Sequence, residues 1–311
     1  MWGIGDVLCI NGLGTVDVTR IFGSHNRAVL CVNDRTHDRV VKVFGESAEI
    51  DELGAEQLRS DILSYRNQLE MHGVPVPKAN DVLIVIQRNG VTNRVNVVEV
   101  LPFYGECVED ELVTAEVSRC LALTQDLLQA IRYLLVESCD FRVGIDMVPR
   151  NFTVNGGLCY VDFMPPKIRS GENFSLEIPE VNDASCRQVG YFRHYTAVGV
   201  AKVLLVQLAK IRPTNINEFR HSIHSFFRQL GRQEVLGDWY RLEGNIQPNE
   251  IEALNFIDIY EIREIACQLC SRGRLTRNQL TKVFEQSHFQ DEPLSDAVIG
   301  QIKCTLISAC K

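Results

Sequence analysis

The spacing of apolar residues changes near Pro102, and this change restricts the chain to few kinds of fold. Between Thr15 and Pro102, short runs rich in valine and isoleucine alternate with turn-forming residues, which predicts antiparallel strands. Beyond Pro102, apolar residues recur at the spacing of helices that bury one face. A chain with strands first and helices afterwards has an α+β fold. We therefore expect two lobes, a small antiparallel sheet lobe over residues 1–102 and a larger, mostly helical lobe over residues 103–311.

One main helix interrupts the strands of the first lobe. Apolar residues at helical spacing predict it between Glu46 and Met71, and the phrase GVPVP at Gly73–Pro77 ends it, because proline cannot continue a helix. In the second lobe, the one-sided apolar pattern of Leu112–Glu137 predicts one long buried helix. Strands are expected in TVDVTRIF, RAVLCVND, VVKVFG, DVLIVIQRNG, RVNVVEVLPF and GLCYVDF, and later helices in AVGVAKVLLVQLAK, NEFRHSIHSFFRQL, NEIEALNFIDIYEIREIACQL and LTRNQLTKVFEQ.

The charge balance limits the classes of ligand. The chain has 311 residues, with 32 Lys and Arg against 40 Asp and Glu, which gives a formal charge of −8. Affinity for a phosphate backbone needs a basic face, so the acidic charge disfavours nucleic acid as a ligand. It leaves a cationic small molecule as a possible ligand. No window offers the ~20 uninterrupted apolar residues of a membrane helix, and the opening MWGIGDVLCINGLG lacks the pattern of a secretion signal. We expect a cytoplasmic protein that binds neither nucleic acid nor membrane.

The eleven cysteines are an odd number without a framework spacing. Cys267 and Cys270 form a CxxC pair, but a structural zinc site needs four ligands and no second pair lies nearby. We therefore expect reduced thiols, many of them small core residues, rather than a metal or redox centre.

The segment GIDMVPRNFTVNGGLCYVDF, from Gly144 to Phe163, carries the most chemical information. Its turn and strand bring Asp146, Asn151 and Asp162 toward one end of a loop and hairpin. Phosphoryl transfer uses these residue types, a carboxylate to orient the attacking hydroxyl and hard oxygen ligands to hold Mg²⁺. The alternative is structural, with Asp146 and Asn151 as turn formers and Asp162 as a cap at a strand end.

Three upstream features favour the chemical interpretation. Lys42 lies inside the apolar strand VVKVF, where an ammonium is costly unless it reaches an anion such as a phosphate, although it could instead reach solvent from an edge strand. The small residues of the turn GSHN at Gly23–Asn26 could let backbone N–H groups approach a phosphate. The helix after Lys42 carries the acids Glu52, Glu56 and Asp61, which could pair with its ammonium, and the choice between Glu56 and Asp61 stays open.

Taken in order, these segments resemble the eukaryotic-like kinase fold of the aminoglycoside phosphotransferase and choline kinase group. The resemblance runs from Thr19 to Phe163. The family's first hairpin falls on G-S-H-N-R-A-V, its third-strand lysine on Lys42 and its hinge strand on Val97–Phe103. Its H-G-D-x-x-P-x-N loop falls on G-I-D-M-V-P-R-N, and its I-D-F/W segment falls on Y-V-D-F.

The resemblance implies a bilobal protein-kinase-like fold and ATP-dependent phosphorylation of a hydroxyl of a small metabolite or antibiotic. It implies that Asp146 accepts or orients the substrate proton, and that Asn151 and Asp162 hold Mg²⁺. Adenine would lie against the backbone of Glu99 to Leu101. The positions implied to bind the nucleotide are Lys42, Gly23, Ser24, Asn26, Asp61, Glu99 and Leu101.

Two departures keep other functions open. Gly144 stands where the family has histidine, and Asp162 is followed by Phe-Met-Pro-Pro rather than Phe-Gly. A catalytically silent binding module is therefore an alternative, as is a kinase-fold enzyme that phosphorylates a protein or transfers a nucleotidyl group. The absence of an Ala-Pro-Glu segment downstream favours a small-molecule substrate over a protein. Three histidines in helix-like segments are expected to be packed or exposed residues rather than ligands, namely His194, His221 and His224.

Overall fold

The structure is a computed structural model and describes residues 4–5, 7–10, 14–22, 28–33, 38–44, 51–77, 81–89, 92–137, 141–154, 157–163, 169–170, 173–174, 192–242, 247–253, 259–287 and 295–311. The strands are β1 (Val7–Ile10), β2 (Gly14–Phe22), β3 (Ala28–Asn33), β4 (Asp38–Phe44), β5 (Asp81–Asn89), β6 (Thr92–Pro102), β7 (Phe152–Thr153), β8 (Cys159–Tyr160), β9 (Arg169–Ser170) and β10 (Asn173–Phe174). The helices are α1 (Glu52–Met71), α2 (Val108–Thr114), α3 (Val117–Ala130), α4 (Arg132–Glu137), α5 (Ala197–Ile211), α6 (Ile216–Gln229), α7 (Gln233–Leu242), α8 (Pro248–Ala253), α9 (Ile259–Ser271), α10 (Arg277–Gln286) and α11 (Asp296–Cys310), with 3₁₀ turns at Pro149–Asn151 and Pro213–Asn215.

The first lobe is a six-stranded sheet in the order β1-β2-β3-β4-β6-β5, and every neighbouring pair is antiparallel. Strands β2 to β6 fall on the segments predicted from the alternation of apolar and turn residues, and β1 adds an edge strand that was not predicted. Beyond β6 the fold is mainly helical. The predicted bilobal α+β fold of protein-kinase-like type is confirmed by this order of elements.

The two faces of the sheet pack differently because successive side chains of a strand point to opposite sides. Val41, Val43 and Val98 lie in a small apolar cluster on one face. Val97 and Leu101 belong to the main core, which continues through α1 into the helices of the second lobe. Lys42 and Glu99 alternate with the valines of the small cluster, so they lie on the face that looks toward α1 and the helical lobe.

Helix α1 begins at a side-chain cap and ends at the predicted glycine. The Asp51 carboxylate accepts a hydrogen bond from the backbone N–H of Gly54 at 2.7 Å. Gly73 has φ +72°, a left-handed conformation that glycine adopts without steric cost. The predicted start at Glu46 lies outside the described residues.

The single long helix expected over Leu112–Glu137 is wrong, because the segment forms α2, α3 and α4. Ala115 and Glu116 have extended backbones with ψ of 156° and 155°, which separates α2 from α3. No glycine or proline marks the break in the sequence. Arg212, the residue directly after α5, donates from its guanidinium to the carbonyl oxygens of Leu112 and Ala115 at 2.8 and 2.5 Å. It thereby supplies hydrogen bonds to carbonyl oxygens at the end of α2.

Helix α5 is the centre of the helical lobe. Every residue from Ala197 to Ala209 is buried, as expected of a helix surrounded by others. Helices α6, α7 and α9 pack around it. The sequence predicted α5 and α6 but missed α7 and α11.

The described residues contain neither a membrane-spanning helix nor a metal-binding cluster. No described helix is long and apolar enough to span a bilayer. The described residues contain no group of three or more His, Cys, Asp or Glu that could hold a metal ion. Cys267 of the CxxC pair is fully buried, and burial raises the pKa of its thiol well above the ordinary value.

Candidate active site

A short hairpin brings the predicted chemical residues together. The turn Pro149–Asn151 leads into β7, and β7 pairs with β8 through Phe152 opposite Tyr160. The backbone N–H of Val161 then donates to the carbonyl oxygen of Asn151 at 2.9 Å, which sets Asn151 beside the segment that carries Asp162. The side-chain amide of Asn151 donates to the backbone oxygen of Asp146 at 3.2 Å and lies 3.4 Å from its carboxylate Oδ2.

The carboxylate of Asp146 has two further neighbours from a distant part of the chain. Arg193 Nη2 donates to Asp146 Oδ1 at 3.2 Å, and His194 Nδ1 lies 3.7 Å from the same oxygen. Both residues directly precede α5. No sequence pattern indicates Arg193, and His194 was expected to be an ordinary packed or exposed residue. No spacing rule links positions 146 and 193, so only the tertiary fold could reveal this contact.

Lys42 pairs with a strand carboxylate. Its Nζ lies 3.2 Å from Glu99 Oε2, and the two side chains are 5% and 0% exposed. The pair forms because Lys42 and Glu99 stand directly opposite each other across β4 and β6, where facing side chains lie close together. The acids considered as partners on α1 have other contacts, since Asp61 accepts a hydrogen bond from Gln57 at 2.7 Å and Glu56 lies 3.5 Å from Arg59.

Lys42 also connects the sheet to the hairpin. Its Nζ donates to the carbonyl oxygen of Val161, the residue before Asp162. The ammonium lies 5.6 Å from the ring centre of Phe163, the residue after it, in a cation–π arrangement. Lys42 is therefore one contact between the strand lobe and the segment that carries Asp162.

The remaining predicted nucleotide positions are placed as follows. Glu99 and Leu101 are buried residues of β6, paired with Lys42 and Val40 of β4. Gly23, Ser24 and Asn26 lie outside the described residues. Asp162 is buried, at 9% exposure, beside Lys42 and the hairpin.

Gly144 lies beneath an aromatic ring. A Cβ added at this position would lie 2.7 Å from a ring carbon of Tyr195, closer than packed carbon atoms approach. The hydroxyl of Tyr65 donates to the Gly144 carbonyl oxygen at 2.8 Å. Tyr65 is fully buried, and burial raises its pKa well above the ordinary value, so its hydroxyl keeps the proton that it donates. Tyr195 thus fills the space that a side chain at position 144 would need.

The oxygen donors at the hairpin suit a magnesium ion carried by phosphates. Asn151 gives its amide N–H to Asp146, which leaves its carbonyl Oδ1 as an oxygen donor, and Asp162 supplies a carboxylate. Mg²⁺ prefers oxygen ligands and is commonly held by one or two carboxylates together with substrate phosphates. This set is too small for a dedicated metal cage but fits an ion that arrives with a nucleotide.

Comparison with known proteins gives matches only among solved structures. No protein-family model and no curated protein matches the chain. The structure of a microcompartment-associated aminopropanol kinase matches with 12% identity and a TM-score of 0.39, covering 95% of this chain and 90% of the other.

Two protein kinase structures also match. Vaccinia related kinase 3 has 11% identity and a TM-score of 0.39, covering 73% of this chain and 76% of the other. The Mycobacterium tuberculosis PknI kinase domain has 11% identity and a TM-score of 0.33, covering 68% of this chain and 77% of the other. These likenesses are too distant to inform the site, and the fold assignment rests on the order of elements in this chain.

Proposed function

We propose that this chain is an ATP- and Mg²⁺-dependent phosphotransferase that phosphorylates a hydroxyl group of a small molecule. The observation that carries the proposal is the convergence of Lys42 and three polar residues, Asp146, Asn151 and Asp162, where the strand lobe meets the hairpin. Lys42 comes from a part of the sequence distant from the other three, and together the four match the residue types that phosphoryl transfer needs.

In this proposal, the bond between the γ-phosphorus and the bridging oxygen breaks while a bond to the acceptor oxygen forms. ADP is the leaving group, and Asp146 accepts or orients the acceptor's proton. Lys42 contacts the α- and β-phosphates. Asn151 and Asp162 are the residues that would hold Mg²⁺, which neutralises phosphate charge when bound. Positioning and charge neutralisation therefore supply most of the rate enhancement.

The buried Lys42–Glu99 pair is part of the proposed nucleotide site. A lysine on a flexible stem can point in many directions, and a carboxylate fixed in the neighbouring strand restricts it. Glu99 thereby aims the ammonium at the segment Val161–Phe163, next to the proposed metal ligand. The adenine would lie at the end of β6, against the backbone near Leu101.

The proposed class of acceptor is argued from the charge of the chain. The formal charge of −8 favours a neutral or cationic metabolite over nucleic acid. We propose a cytoplasmic enzyme acting on a small metabolite or an antibiotic. A screen of ATP consumption against aminoglycosides, macrolides, amino alcohols, sugars and nucleosides would identify the acceptor.

The test of the activity is the Asp146→Asn variant of the full chain. We expect it to bind ATP and Mg²⁺, seen as a metal-dependent rise in Tm, and to lose at least ~100-fold in turnover, because the amide cannot accept the proton. Asp126→Asn is the matched control, since that carboxylate is half exposed on α3. Undiminished turnover in Asp146→Asn would refute the assignment.

A second candidate is a nucleotide-binding module without activity. It is favoured by Gly144, which has no side chain to orient the Asp146 loop, and by the engagement of Lys42 with protein oxygens. This candidate predicts that ATP and Mg²⁺ raise the Tm of the wild-type chain while no acceptor in the screen is phosphorylated. Product mass would separate phosphate transfer from nucleotidyl transfer.

A further inference from the structure

The segment at residues 193–195 makes three kinds of contact with the loop that carries Asp146. The first is backbone pairing. The N–H of Phe141 donates to the carbonyl oxygen of Tyr195 at 2.6 Å, and the N–H of Ile145 donates to that of His194 at 2.9 Å. The loop on either side of Gly144 is therefore tied to the chain that enters α5.

The second contact fills space. The Tyr195 ring lies against Gly144 so closely that no Cβ fits between them. Tyr195 and the residues that flank Gly144, Val143 and Ile145, are all at most 1% exposed, so this packing fixes the separation of the ring and the loop. A bulky side chain from the segment 193–195 thus supports the loop where the loop itself has none.

The third contact is polar and reaches the carboxylate. Arg193 Nη2 donates to Asp146 Oδ1 at 3.2 Å, with both side chains 18% exposed. His194 Nδ1 lies 3.2 Å from the carbonyl oxygen of Ile145 and 3.7 Å from Asp146 Oδ1. Both neighbours of this nitrogen are acceptors, so Nδ1 carries a proton and the imidazole acts as a donor.

We propose that Arg193 and His194 are the positioning residues of Asp146. They engage Oδ1 from one side while Asn151 approaches Oδ2 from the other, which fixes the rotamer of the carboxylate and the direction in which it faces an acceptor hydroxyl. The inference rests on the proposed phosphotransferase function and adds residues that neither the motif pattern nor position 144 supplies. A misplacement of the carboxylate by ~1 Å lowers the rate of an oriented reaction by about 100-fold.

The first part of the test needs no activity. Urea unfolding of the full chain is measured for Arg193→Gln in the wild-type and the Asp146→Asn backgrounds. We expect Arg193→Gln to lower the midpoint in the wild-type background and to have at most half that effect with Asp146→Asn, because the charged partner is then already absent. Arg119→Gln is the control, since Arg119 pairs with Glu111 and is half exposed on α3.

The second part measures phosphate transfer from ATP, in the presence of Mg²⁺, to the acceptor found in the screen. Where no acceptor is added, it measures ATP hydrolysis. Arg193→Gln should lower kcat by about 10- to 100-fold with less than a ~3-fold change in KM for ATP. Arg193→Lys should restore kcat to within ~5-fold of wild type, because a single N–H donor contacts the carboxylate. His194→Ala should lower kcat without changing KM for ATP.

Each outcome decides the inference. Coupling in urea together with a kcat loss that lysine rescues supports it. Coupling with unchanged kcat shows a purely structural ion pair and overturns it, as does absence of coupling in a chain that turns over ATP. If the wild-type chain neither transfers phosphate nor hydrolyses ATP, the proposed function fails and the positioning role falls with it, whatever the urea result.

Discussion

Replacing Glu99 by leucine removes the carboxylate that faces the Lys42 ammonium at 3.2 Å. The two side chains are 0% and 5% exposed, so water cannot take the place of the carboxylate. Breaking a buried ion pair from one side costs about 3–5 kcal/mol, because the remaining charge is left in a poorly solvating interior. The carbonyl oxygen of Val161 still accepts a hydrogen bond from Lys42, so we expect the lower end of this range. A loss of ~3 kcal/mol corresponds to a ~100-fold change in the folding equilibrium.

The assay is urea unfolding of the full chain at pH 7, with Glu99→Leu, Lys42→Met and the double variant measured together. The double variant replaces the pair by apolar groups of similar size, and such replacements are often neutral. We therefore expect the double variant to be more stable than either single variant. Equal m-values across the set are needed, because a changed slope would mean a changed denatured or native state.

Two results would refute the reasoning. If Glu99→Leu unfolds within ~0.5 kcal/mol of the wild type, the pair does not carry the expected electrostatic penalty. If the destabilisations of the two single variants simply add in the double variant, Lys42 and Glu99 are not energetically coupled.

Two further predictions concern single sites. Gly144→Ala should destabilise the chain by about 1–3 kcal/mol in thermal unfolding, because its Cβ would lie 2.7 Å from the Tyr195 ring. The control is Gly237→Ala on the exposed face of α7, whose Cβ would meet nothing within 4 Å and which should be neutral or stabilising. Burial, followed by repulsion from Arg220, lowers the pKa of His224 from 6.5 to about 4. This histidine therefore contributes stability that is present above pH 6.5 and is lost as pH falls toward 4. His224→Phe should flatten the dependence of unfolding free energy on pH within that window, and an unchanged slope would contradict the assignment.

Local patterns predicted most of the sheet and α1 correctly. The alternating valines in VVKVF and the glycine and prolines of GVPVP determine the backbone only of the residues next to them. Their structural effect can therefore be inferred from the sequence alone. The break between α2 and α3 could not be inferred in this way. The hydrogen bonds that satisfy the carbonyl oxygens at this break come from Arg212, nearly a hundred positions away.

The same distinction holds for the candidate site. The motif indicated Asp146, Asn151 and Asp162 because they lie close together in the sequence, in one loop and hairpin. The contact of Glu99 with Lys42 depends on the register of β4 against β6, which no local pattern fixes. Arg193 reaches Asp146 across 47 positions, and its role depends on how the chain enters α5. The nucleotide and metal roles of these residues stay predictions.

The burial of α5 has a consequence for the motion of Asp146. Thr196 caps this helix through a 3.0 Å hydrogen bond from the N–H of Gly199, so the helix begins directly after the segment that carries Arg193 and His194. A helix enclosed on all sides opens only when most of the molecule does, whereas exposed loops fluctuate independently. Because Arg193 and His194 are anchored at this helix, local loop fluctuations should be small at the carboxylate. The position of the Asp146 carboxylate then depends on the global stability of the helical lobe, and a destabilising change far from the candidate site can make that position less well fixed.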